Sequence, residues 1–122
     1  MANAINWFEI PSSNYERALD FYGKVFNTEL YQQDIMGIKM AFLPCGEGEV
    51  GGAICYGDGN KPSENGARVY LNGGEDLSIP LSKIEAAGGK VVLPKTKISD
   101  EIGYMATFLD TEGNQISFHS PN

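Results

Sequence analysis

Apolar and polar residues alternate along this chain with two different periods, and the switches between them mark its elements. Ile5-Asn6-Trp7-Phe8-Glu9-Ile10 alternates with the period of a strand, and Pro11 ends it because proline cannot donate to a ladder. Tyr15, Ala18, Leu19, Tyr22, Val25 and Phe26 then recur at helical spacing. They predict a helix over 14–26, with Ser13 and Glu16 as its capping box. Three extended runs follow at about 29–35, 37–43 and 50–57; Cys45-Gly46-Glu47-Gly48-Glu49 joins the last two as a hairpin loop.

The polar stretch Asn60 to Gly66, with its proline and Asn-Gly, interrupts the pattern. The order then begins again. Ala67 to Leu71 reads as a strand. A helix starts at Ser78, with Pro80 in its first turn, and stops at Gly88-Gly89. Lys90 to Leu93, Gly103 to Leu109 and Gln115 to His119 read as strands, and Pro94 to Ile102 as a polar loop or rim. Strand, helix and three strands thus occur twice. The expected class is α+β: one domain over 1–122 built from two tandem βαβββ units, at about 1–59 and 66–122. A helix covers one face of each sheet, so the other faces are free to line a cleft.

Composition narrows the partners. The net charge of -7 disfavours nucleic acid and anionic membrane surfaces, which both select clustered Lys and Arg. No apolar run is long enough to span a bilayer. The first residues lack the basic and apolar segments of a secretory leader, so a cytoplasmic protein with reduced thiols is expected. Cys45 and Cys55 belong to no CxxC pair or Cys/His cluster, and Gly51-Gly52 and Gly73-Gly74 fit no phosphate loop.

Several stretches in this order resemble the vicinal oxygen chelate superfamily, the glyoxalase, bleomycin-resistance and dioxygenase group. They are Asn6-Trp7-Phe8-Glu9-Ile10-Pro11, Glu16 to Tyr22 with Val25-Phe26, Glu85-Ala86-Ala87-Gly88-Gly89-Lys90-Val91 and Phe108 to Asn114. Within the group the chain looks closest to single-module bacterial proteins related to lactoylglutathione lyase. The resemblance implies mixed sheets curled around a cleft, a small-molecule ligand and a homodimer. In metal-dependent members, His and Glu side chains on the first and fourth strands of each half hold a divalent ion. Those positions fall here on Trp7, Ala53, Val69 (or Arg68, one residue away) and Ser117. None is a good ligand for a divalent ion. No cofactor is therefore expected, and a divalent metal only through a rearranged site.

Alternation puts Trp7, Glu9, Cys55, Ser117 and His119 on the cleft face. Glu9 reads either as a structural carboxylate paired with Arg68 or Lys39, or as a general base. His119, the sole imidazole, either bonds backbone or a dimer partner, or pairs with Glu9 or Ser117 across the cleft. Trp7 is a core filler or a stacking platform, and Cys55 an inert buried thiol. No activated-serine turn surrounds Ser117. These residues suit a metal-free ligand-binding protein, with Trp7, Cys55 and Ser117 lining the pocket and Glu9 and His119 orienting the ligand. The alternatives are a lyase or isomerase acting on a small oxygenated molecule, with Glu9 as base, His119 as the second catalytic candidate and a metal only at a non-standard site, and a partner-binding module.

Overall fold

A computed structural model describes residues 3–122; Met1 and Ala2, part of the leader reading above, lie outside the described residues. The first half contains β1 (Phe8–Pro11), α1 (Tyr15–Phe26), β2 (Tyr31–Ile35), β3 (Ile38–Phe42) and β4 (Gly52–Tyr56). The second contains β5 (Val69–Asn72), α2 (Ser78–Leu81), β6 (Lys90–Ser99), β7 (Gly103–Leu109) and β8 (Gln115–Ser120). The strands form two sheets of four, ordered β1-β4-β3-β2 and β5-β8-β7-β6. In each sheet the first strand pairs in parallel with the last, and the remaining pairs are antiparallel. The expected pair of βαβββ units is the observed fold.

The period-two reading gave the correct faces. Ile10, Ala41 and Ile54 point from the first sheet into the core, and Leu71, Ala106, Phe108, Ile116 and Phe118 point from the second. Helix α1 contributes Ala18, Phe21, Tyr22 and Val25 to the same apolar cluster. Phe21 lies 6.0 Å from Phe108 and Phe26 lies 6.4 Å from Phe118, between ring centroids. The helix-side faces of both sheets therefore share one core, and the opposite faces are uncovered. Among the described residues no helix is long and apolar enough to cross a membrane.

Five local expectations are corrected. Strand β1 begins at Phe8 rather than Ile5. The cap of α1 is Asn14, whose side chain accepts from the Arg17 N–H, so Glu16 closes no capping box. The second helix is regular only over Ser78–Leu81, and tight hydrogen-bonded turns continue to Gly89. Its entry is held by Asp76, which accepts from Ser78 N at 2.9 Å, and not by a Ser78 cap. The polar segment after Leu93 is no loop, since β6 runs to Ser99 as an edge strand.

The halves are also joined by polar groups. Glu112, from the β7–β8 turn, accepts from Ser13 N at 2.8 Å, Asn14 N at 2.7 Å and Arg17 Nε at 2.8 Å. It is thus the anion at the α1 N-terminus, where the free N–H groups and the helix dipole both favour negative charge. Burial pushes its carboxyl upward, but the bonds from Arg17, Asn14, Ser13 and Thr111 outweigh burial and bring it down to about 2. A carboxyl lowered in the fold stabilises it fully above the unfolded pKa and loses that contribution as pH falls through the folded one. Urea midpoints should therefore fall from about pH 5 down to about pH 2. The fall should be shallower in Glu112→Gln, and equal slopes in the two proteins would refute this assignment.

Candidate functional site on the open sheet faces

Alternation and register together define the uncovered face of the first sheet. The register aligns Glu9 with Ala53, Ala53 with Phe42, and Phe42 with Tyr31. The next row aligns Pro11, Cys55, Met40 and Gln33. Ala53 and Cys55 are fully buried although they lie on this face, because larger neighbours rise on both sides of them. They make a floor of small side chains between aromatic walls. Trp7 meets Phe42 edge-on at 5.8 Å, and Tyr31 stacks on Phe42 at 5.9 Å with 21° between the rings. Trp7 is 43% exposed and Tyr31 66% exposed, so this is surface and Trp7 does not fill the core. The sequence reading found Trp7 and Cys55 but missed Tyr31 and Phe42. Extending the same alternation across the β2–β3 hairpin would have found both.

Glu9 stands at the β1 edge of this floor. Its Oε2 accepts a 3.3 Å hydrogen bond from Trp7 Nε1, and the residue is exposed. The expected ion pair with Arg68 or Lys39 does not form among the described residues. Lys39 instead points to the helix side, 5.8 Å above the Tyr15 ring. Arg68 lines a groove of about 1000 Å³ between β1 and β5, together with Glu9, Phe8, Cys45 and Tyr70.

Burial, with Glu9 beside it as a charge and hydrogen-bond partner, pushes the Cys55 thiol up to about 12. Such a thiol is almost entirely unreactive near neutrality, as expected for an inert buried cysteine. Cys45 is exposed. A thiol-specific reagent should therefore modify one cysteine quickly in the native protein and both in denaturant. Rapid modification of both without denaturant would show that the floor is open.

The uncovered face of the second sheet is different. Ser117 is fully buried, and its hydroxyl lies 2.8 Å from that of Thr107. His119 Nε2 lies 2.7 Å from the Ile102 carbonyl oxygen, which it meets across the β6–β7 turn. The backbone-bonding expectation for His119 is thus the observed one. Among the described residues no hydrogen bond or ion pair joins it to Ser117 or Glu9. His119, Tyr70, Asn72 and Ile98 line a depression of about 720 Å³.

The metal positions can now be tested against the register. Tyr70 is the partner of Ser117, while Val69 is aligned with Ile116 and packs against the core. The open side of β5 is carried by Tyr70 and, by the same alternation two residues earlier, by Arg68; the placement at Val69 is corrected, and the alternative at Arg68 keeps the open side. Trp7, Ala53, Tyr70 and Ser117 do not form a donor set that fits a divalent ion. Among the described residues, no three His, Cys, Asp or Glu side chains come together as one.

Two βαβββ units with these open faces define a class of small paired-module proteins, and comparison with known proteins gives the family. The model of the Glyoxalase/Bleomycin resistance protein/Dioxygenase superfamily matches residues 4–118, so the chain belongs to that superfamily. No curated protein matches the sequence. Among solved structures the chain is similar to TnmS3, an antibiotic binding protein from Streptomyces sp. CB03234. The TM-score is 0.73 at 22% identity, covering 100% of this chain and 99% of that one. It is also similar to a mutant of glyoxalase I from Zea mays, with TM-score 0.72 and 18% identity over 95% of this chain. The match spans only 45% of the maize chain. The trypanothione-dependent glyoxalase I of Leishmania major matches with TM-score 0.67 and 16% identity, over 98% of this chain and 88% of that one. At these identities the likeness is one of fold.

Proposed function

We propose that this chain is a small-molecule-binding member of the superfamily that works without a metal centre. The observation that carries the reading is the open face of the first sheet. There Trp7 and Tyr31 stand exposed and Phe42 half-buried between them, around the buried floor of Ala53 and Cys55. A cluster of exposed aromatic rings beside a floor of small side chains is what a flat apolar ligand needs. The antibiotic-binding TnmS3, matched over its whole length, supports the same reading. His119 and Tyr70 supply imidazole and hydroxyl groups on the other open face, above the buried Ser117–Thr107 hydroxyl pair. A homodimer that sets this face of one protomer against the aromatic face of its partner would enclose a ligand between an apolar and a polar wall. The cytoplasm is the proposed location.

The test is a ligand screen followed through the emission of Trp7, the chain's single tryptophan. Binders should quench it equally with and without a strong chelator. Phe42→Ala should weaken them about tenfold or more, the scale of a lost aromatic stacking contact and its buried area. Stoichiometric metal in the untagged protein, with binding abolished by chelation, would overturn the metal-free reading.

A second reading, a lyase or isomerase acting on a small oxygenated substrate, has one observation in its favour. The Glu9 carboxylate has no cationic partner among the described residues and borders the apolar floor, where a general base would reach a bound substrate. Turnover abolished in Glu9→Gln, with ligand binding kept, would establish it.

A further inference from the structure

We propose that the ligand of the aromatic face is a planar aromatic cation, a ring system carrying an ammonium, amidinium or comparable positive group. This rests on the binding reading above and specifies its chemistry.

Three observations carry it. First, strand alternation sorts charge completely on this face. Its strand positions are Glu9 and Pro11, Ala53 and Cys55, Ile38, Met40 and Phe42, then Tyr31, Gln33 and Ile35. Glu9 is the one charged side chain among them. Lys39 and Asp34 alternate to the helix side. Second, that carboxylate is oriented but not neutralised. The indole N–H of Trp7 holds Oε2 at 3.3 Å, and no Lys or Arg lies within ion-pair distance among the described residues. The nearby cations are accounted for: Lys39 covers Tyr15, while Arg68 and Lys61 line grooves at the β5 side of Glu9 without pairing to it. Third, the walls are three rings whose faces attract cations through their quadrupoles. A ligand stacked beside Phe42 with its positive group toward Glu9 would meet both the ring faces and the carboxylate. An anionic ligand would meet a carboxylate whose neighbouring donors, the Trp7 indole and the neutral Cys55 thiol, carry no positive charge. The net charge of -7 adds a long-range field of the same sign.

The test compares three-ring probes of nearly equal shape at neutral pH: aminoacridine as the cation, acridine as the neutral ring and anthracene carboxylate as the anion. Binding is read from Trp7 quenching and by calorimetry. The cation should bind about tenfold tighter than acridine, the scale of one charge-assisted contact plus cation–π attraction at a partly exposed site, and the anion weakest. In Glu9→Gln the ratio of cation to neutral affinity should collapse towards one. Added salt should lower the ratio in the wild type and leave it unmoved in the variant. Equal affinities for cation and neutral ring, or a preference that survives Glu9→Gln, overturn the charge assignment while leaving the stacking platform intact. Failure of all three probes to bind overturns the platform itself.

Discussion

Asp110→Ala should cost about 4 kcal/mol of stability, the penalty of stranding several buried donors at once. Asp110 is 5% exposed and accepts four hydrogen bonds. Oδ1 takes the N–H groups of Glu112 and Asn114, both at 2.9 Å. Oδ2 takes the Tyr22 hydroxyl at 2.8 Å and the Asn114 amide at 3.0 Å. The same Asn114 side chain donates to the Pro11 carbonyl at 2.8 Å and accepts from Ser63 N at 3.1 Å. One carboxylate thus organises the turn that joins β7 and β8 and ties it to α1. Alanine leaves the buried Tyr22 hydroxyl without its partner, and that orphaned group accounts for much of the cost. Tyr22→Phe in the Asp110→Ala background should therefore recover part of the loss, though Phe at the same site alone destabilises the wild type. Urea midpoints from circular dichroism decide it. A single-variant loss below about 1 kcal/mol would show that water replaces the carboxylate and that the network is not holding the turn.

This network also shows why part of the fold was legible in the chain and part was not. Local periodicity identified every strand and the long helix, because each buries one face and its residues alternate accordingly. The α1 cap was misread because Ser13 is held by Glu112, 99 residues away, so no local motif encodes it. Strand β6 was shortened to Leu93 because Pro94-Lys95-Thr96-Lys97 reads as a loop. On an edge strand, one proline and two alternating lysines are tolerated, and register shifts between Val91 and Ser99 absorb the irregularity. The second helix was lengthened because Leu81, Ile84 and Ala87 keep apolar spacing, yet tight turns satisfy that spacing as well.

The candidate site divides along the same line. The faces of Trp7, Glu9, Cys55, Ser117 and His119 followed from strand alternation, which is local. The β5 position did not, since choosing Tyr70 over Val69 depends on the parallel register with β8. The Tyr31–Phe42 wall depends on the β2–β3 turn. Met36 at φ 54° and Gly37 at φ 84° form a two-residue turn with both residues left-handed. Such a turn fixes the register of the strands it joins, and here it puts Tyr31 opposite Phe42. A glycine preceded by Met, where Asn or Asp is the common signal, concealed it.

Phe118→Ala should cost about 3–5 kcal/mol, the range for an aromatic truncated in a close-packed core. Phe118 is fully buried, 5.0 Å from Phe108 and edge-on to Phe26 of α1, between centroids. Its place makes the variant informative beyond its size. The residue belongs to β8 of the second half, whereas the only tryptophan, Trp7, sits at the start of the first. If the shared core makes the two βαβββ units one cooperative domain, a cavity at Phe118 must destabilise the surroundings of Trp7 as much as its own sheet. The Trp7 emission transition and the loss of far-ultraviolet dichroism should then shift together and stay superimposed. If the halves are separate folding units, the emission transition stays at the wild-type midpoint while part of the dichroism is lost earlier. Phe118→Leu, which keeps most of the volume, should move both curves together by a smaller amount, about 1 kcal/mol. That variant measures the coupling even if the alanine protein is too unstable to fold. Coupling also bears on binding. The aromatic face and the hydroxyl-bearing face lie on the far sides of one core, so a ligand held by Trp7 should raise the midpoint of the whole chain and not of its first half alone.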